Sequence, residues 1–184
     1  MGLWIGVLIW GWSVGGSYGG TYWHAHEMLF GYSTAALAGF LLTAIPNWTG
    51  RLPVAGTPLV VLFVLWCAGR LVMLAPDTLG LAVSLAIEAL FLSLLLAICV
   101  REIIAVRRWK NLKILAGLFT LALANVVFHL LVAGNEDVSL SYRLALAAYV
   151  MLLAIMGDHG RSHRTHLHAQ LVDQATPDRS ACAM

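Results

Sequence analysis

The sequence predicts an all-α, polytopic bundle of five or six transmembrane helices, and three observations support it. Hydrophobic residues make up 60% of the chain and charged residues 11%, against roughly half and a quarter in soluble domains, so there is too little polar surface to cover a water-soluble fold. The apolar residues fall into six runs divided by charges and by Gly, Pro and Asn clusters. All but the first of these runs approach the ~20 residues a helix needs to cross hydrocarbon. The basic residues crowd one short connection, as they do between spans. A net charge of +2, with no basic tract interleaved with aromatics, sets nucleic acid aside as a partner.

The first run, residues 3–14, is too short to span. It follows no basic n-region and ends in no small-residue cleavage site, so it reads as the remnant of a longer membrane helix and not as a signal peptide. Trp4, Trp10, Trp12, Tyr18, Tyr22 and Trp23 around it are the residues of an interfacial aromatic belt. The second run, 27–45, carries no charge from Leu29 to Ile45. Pro46 is expected to end its helix, and Asn47, Trp48 and Arg51 beyond it favour a membrane interface. At its mouth stand His24, His26, Glu27 and Met28, polar ligand-type groups that are costly beside hydrocarbon. On a helix His24 and Met28 share a face, whereas His24 and His26 point about 200° apart. Either the HAH segment is extended, which puts both rings on one side, or each histidine serves a different centre. Glu27, Gly31, Ala35 and Gly39 form a stripe in steps of four that lets another helix approach closely.

The third run, 57–74, holds Arg70 near its end, where a long side chain snorkels to the interface. The fourth, 79–100, holds Glu88 about 14 Å along the helix, close to the bilayer centre. An acid there costs on the order of 3 kcal/mol, so Glu88 must be neutral, paired or facing a polar cavity. It is a candidate proton-handling carboxyl, with a hydrogen bond to a neighbouring helix as the plainer reading. The fifth run, 112–133, carries Asn125 and His129 one turn apart on one face. The sixth, 140–156, has Arg143 near its start, a second snorkelling position. Cys67, Cys99 and Cys182 show no metal spacing and are assigned no chemistry. The chain therefore divides into a transmembrane domain, 1–157, and a polar tail, 158–184.

Orientation follows from Arg101, Arg107, Arg108, Lys110 and Lys113, which crowd the connection between the fourth and fifth runs against the acid Glu102. The positive-inside rule places this loop in the cytoplasm, with the Arg51 loop on the same side. Residues 17–26, the turn at Asp77 and the 134–141 loop then face the periplasm. His24, His26 and His129 thereby reach one depth near the outer surface. Asn125 is placed to hydrogen-bond there, the kind of contact that fixes a ligating ring.

The run HAHEMLFGYSTAALAGFLLTAIPNWTGRLPVAGTPLVVLFVLWCAGRL resembles the signature region of the NnrS family, and the similarity continues through NLKILAGLFTLALANVVFHLLVAG to about Met156. The resemblance implies a multi-pass protein of the bacterial inner membrane that contains haem and copper and acts in defence against nitric oxide and nitrosative stress. Whether nitric oxide is turned over or only bound stays open. Joined to the topology, it makes His24, His26 and His129 ligands to haem iron or copper, with Met28 a weaker one and Glu27 and Asn125 supporting them. The plainer reading of His129 is a polar contact between helices. The belt aromatics gain a second role against a porphyrin face. The family's members carry about twice as many helices, so the chain is partial, resembling their N-terminal half. The GGRxxPxFTRN-like continuation of the family is absent after Gly157, so the tail reads as disordered or frame-slipped, and His159, His163, His166 and His168 are not taken as a metal site. Two other classes are weighed: an inert truncated membrane fragment, and a polytopic transporter using Glu88.

Overall fold

The structure, a computed structural model, describes the backbone of residues 2–107 and 111–175 and side chains as far as residue 157. Among the described residues the order is α1 (Gly2–Trp10), a 3-10 turn (Gly16–Tyr18), α2 (Gly19–His26), a π turn (Glu27–Tyr32), α3 (Ser33–Thr49), α4 (Thr57–Leu74), α5 (Pro76–Leu79), α6 (Leu81–Ala105), α7 (Leu112–Ala133) and α8 (Ser139–Ala175). No strand interrupts them. Five segments are long and apolar enough to cross a membrane, Gly16–Thr49, Thr57–Leu74, Leu81–Ala105, Leu112–Ala133 and Ser139–Gly157. The fold is the all-helical polytopic bundle that the composition requires.

Helix α6 lies at the centre, against α3, α4 and α7, and α8 packs along α7. Leu92 and Leu95 of α6 meet Leu41, Leu118, Leu121 and Phe128 in a shared core. Small residues bring α7 and α8 close. A methyl group added at Gly117 would stand 2.8 Å from the Leu152 side chain, and the Ser141 hydroxyl donates across the seam to the Ala124 carbonyl at 2.8 Å. The turn between these helices is set by Asn135 at φ 56 and by Asp137, which accepts from the Ser139 N–H at 3.2 Å. Hydrogen bonding from the Ser139 side chain, and then from its N–H, holds the Asp137 carboxyl below the usual carboxylate range. Leu59, Val60, Val61, Phe63 and Val64 of α4 are exposed, as a lipid-facing helix surface should be.

Three expectations are corrected here. Pro46 does not end its helix. Helix α3 runs through it to Thr49, and Gly50 at φ 72 ends it, its N–H donating to the Pro46 carbonyl at 2.8 Å. The ring costs the Leu42 carbonyl one partner, a loss that membrane helices tolerate when the rest of the turn is packed and bonded; the Thr49 hydroxyl donates to the Ile45 carbonyl at 2.8 Å. The fourth run does not stop at its charges either. Helix α6 continues to Ala105, because Glu102 is bonded to Arg51 and Arg101 and so does not interrupt the helix. Finally, Arg70 does not snorkel; it is held in the bundle between two carboxylates.

Two sets of contacts fix which loops share an end. The Arg51–Glu102 ion pair, 2.7 Å, joins the loop after α3 to the end of α6. At the other end the Asp77 carboxylate accepts from the Ser17 N–H at 2.9 and 3.2 Å. Helix α8 continues past Gly157 to Ala175. The side chains of the tail histidines, of Arg108 and Lys110, and Cys182 lie outside the described residues.

Candidate functional site

The site is assembled where the Gly16–Thr49 segment enters the bundle beside the last two turns of α7. His26 and His129 are both fully buried, and their ring centroids are 5.0 Å apart at 66°. Each ring is anchored through one nitrogen. His26 Nε2 donates to Asn125 Oδ1 at 3.0 Å, an oxygen that can only accept. His129 Nδ1 pairs with the Tyr18 hydroxyl at 2.6 Å, a partner that suits either tautomer. Among the described residues, His26 Nδ1 and His129 Nε2 have no hydrogen-bond partner, although both are buried. Phe30 and Phe128 flank the pair and keep it dry.

The π turn explains why His26 points inward. Between Glu27 and Tyr32 the helix widens by one residue per turn, so α2 and α3 need not keep one face in register. A widened turn misaligns its carbonyls, and in a bilayer every one of them needs a donor. Four side chains supply donors. The Ser33 hydroxyl bonds the Met28 carbonyl at 2.7 Å, Thr34 bonds that of Phe30, Tyr149 on α8 bonds that of Leu29 at 2.6 Å, and Trp66 on α4 bonds that of Gly31 at 3.0 Å. Local and distant residues therefore hold the turn together. The HAH segment is helical, not extended, so its two imidazoles part company.

Next to the pair runs a chain of charge that is buried at Glu88 and partly buried at Glu27 and Arg70. Glu27 Oε1 lies 3.9 Å from His26 Nδ1 and accepts from Arg70 at 2.6 Å. The other terminal nitrogen of Arg70 bonds both oxygens of Glu88 at 2.6 Å. Small residues make room for it. A methyl group at Gly69 would come within 2.5 Å of Glu88 Oε1, and one at Gly31 would overlap the Arg70 guanidinium. The Glu27 and Gly31 stripe thus accommodates a neighbouring helix as its spacing implied, and the helix it admits, α4, brings Trp66 and Arg70 with it. Glu88 is paired, one of the three states its depth allowed.

His24 takes the other direction. Its ring stacks on Trp4, centroids 4.3 Å apart and planes 8° apart. With Met28, Trp4, Glu27 and Arg70 it lines an open recess of about 450 Å³. The structure therefore brings together His26, His129, Asn125 and Glu27, and leaves His24 and Met28 at a separate recess. Among the described residues no group of three or more His, Cys, Asp or Glu side chains is arranged to hold a metal ion. Sequence reasoning missed Tyr18, which is 3% exposed and bonded to His129 instead of standing in an interfacial belt. It also missed Arg70, Trp66 and Tyr149. The signal for Arg70, Trp66 and Tyr149 was a polar tip inside an apolar run, which must find a partner there; Tyr18, set among glycines, gave none.

The family described as "NnrS protein" matches residues 1–161. No curated protein and no solved structure matches the chain. That match covers every candidate membrane-spanning segment among the described residues and all the residues of the imidazole pair and the charged chain, and on it the chain belongs to the NnrS family.

Proposed function

We propose that the protein is a haem- and copper-binding component of the bacterial inner membrane that takes up nitric oxide in defence against nitrosative stress. Family membership supports the reading. The single structural observation that carries it is the imidazole pair, anchored on one side and partnerless on the other. A buried polar atom without a partner costs about 1–3 kcal/mol, so two ring nitrogens without a hydrogen-bond partner, one of them 3.9 Å from the Glu27 carboxylate, call for a hydrogen-bond donor or a Lewis acid. A metal ion fits, because copper takes imidazole nitrogen readily and a ligating histidine is normally held by a hydrogen bond through its other nitrogen.

In this reading His26 and His129 hold copper, Asn125 and Tyr18 orient the two rings, and Glu27 supports His26. The recess bearing His24 and Met28 lies within the size range of cofactor sites, and His24, with Trp4 against its ring, is the residue there that would hold haem. Haem iron or a cuprous ion so held would supply the chemistry for binding a small diatomic ligand. The chain's own part is to exclude water, through Phe30 and Phe128, and to fix which imidazole nitrogen faces inward. Glu88, bound to Arg70, is the carboxyl placed to handle a proton beside such a centre.

Optical spectroscopy of the purified protein tests the reading. A Soret band that shifts when nitric oxide is added, and that is lost in His24→Ala, is expected. A stable protein that takes up neither haem nor copper would contradict it and favour a transporter built on Glu88 or an inert fragment.

A further inference from the structure

At the end of the bundle opposite the imidazole pair, residues 51–54 and the end of α6 enclose an open recess of about 400 Å³ that the haem and copper reading does not use. Glu102, whose side chain is 5% exposed, organises it. Its Oε2 accepts from Arg51 Nε at 2.7 Å, and its Oε1 accepts from Arg101 at 2.8 and 3.1 Å. One acid thus fixes two guanidinium groups from separate segments and leaves the cluster with a net positive charge. Arg51 and Arg101 line the recess and remain 45% and 63% exposed, and Glu102 does not engage every N–H donor of either. Pro53 and Val54 line the same recess, and Leu52 beside them is 89% exposed, an apolar side chain left next to the two charges.

We infer that this recess binds the phosphate headgroup of an anionic phospholipid in the cytoplasmic leaflet. Planar guanidinium groups match phosphate oxygens in paired hydrogen bonds, and basic clusters between membrane helices on the cytoplasmic side are where anionic headgroups settle. Glu102 leaves no carboxylate oxygen unpaired to repel the phosphate. Leu52 selects between the two sources of this chemistry: a soluble phosphate gains nothing from an exposed leucine, whereas an acyl chain covers it. The site lies at the depth where Arg51 and Trp48 mark the interface, so a headgroup reaches it without leaving its leaflet.

Native mass spectrometry of the full chain, released from nanodiscs of phosphatidylglycerol or of phosphatidylcholine, tests the assignment. The protein should retain phosphatidylglycerol in preference to phosphatidylcholine. Arg101→Gln, at an exposed position where the amide can still donate to Glu102 while Arg51 keeps its own bond, should lower that retention roughly fivefold, the factor expected for one basic residue at an anionic surface. Leu52→Ser, outside the ion pairs, should lower it as well, and millimolar inorganic phosphate should not displace the lipid. Equal retention of the two lipids, or unchanged retention in either variant, would overturn the assignment. Displacement by inorganic phosphate would transfer the recess to a soluble anion and overturn it too.

Discussion

Arg70 is the residue on which the charged chain depends, because it neutralises Glu27 and Glu88 together from within α4. Replacing it with methionine leaves the buried Glu88 carboxylate, and the partly buried Glu27 beside it, without their cation, and breaking a buried pair in this way costs about 3–5 kcal/mol. Arg70→Met should therefore lower the unfolding midpoint in detergent markedly. Glu88→Gln should lower it less, since the amide still accepts from the guanidinium and Glu27 remains. Gly69→Ala tests the same contact from outside: its methyl group would stand 2.5 Å from Glu88 Oε1 and push the carboxylate off Arg70, so it should destabilise nearly as much as Arg70→Met. A Gly69→Ala protein as stable as the parent would show that the approach of α4 to α6 is looser than described. Individual residues were partly readable beforehand. The depth of Glu88 demanded a partner, and the four-residue step from Asn125 to His129 placed both on the site. The identity of the partner was not readable, because an arginine one turn from a helix end is as well served by the interface as by an acid, and only the packing of three helices decides.

The π turn is the element that converts an ordinary membrane helix into a site. Its carbonyls draw donors from α4 and α8, so Trp66 and Tyr149 influence His26 without touching it. Tyr149→Phe removes one donor from a carbonyl inside the bilayer, at a cost of about 1 kcal/mol. Amide hydrogen exchange over residues 27–33 should quicken in Tyr149→Phe while exchange in α6 stays unchanged. Uniform exchange across both helices would mean that Tyr149 acts on global stability alone. No periodicity in the sequence announces such a turn, since one extra residue merely blurs the apolar stripe. The sequence did show that one regular helix could not aim His24 and His26 at one centre, and the structure resolves this by separating them. Pro46 misled for a related reason, since a missing N–H is tolerated in a helix whose other groups are packed and bonded.

Across the whole molecule, the alternation of loops follows from the charges and agrees with the contacts. The Arg51–Glu102 pair ties two loops to one end, and Asp77 ties the 3-10 turn to α5 at the other. Single cysteines introduced at Leu52 and at Asn135 should be labelled by membrane-impermeant reagent from opposite sides, Leu52 only after the cytoplasmic face is opened. The bundle itself was legible because hydrophobic runs of spanning length leave few alternatives. The convergence of His26 and His129 was legible in depth, through the topology, but not in detail. That His24 faces away and Tyr18 faces in depends on how the short α1 and the 3-10 turn pack, where glycines leave the local pattern weak.

Copper content of the membrane-reconstituted protein tests the central claim most directly, with His26→Gln, His129→Gln and His24→Gln compared against the parent. The pair requires that copper be lost from the first two variants and kept in the third. Copper retained in full by a chain lacking both His26 and His129 would contradict it.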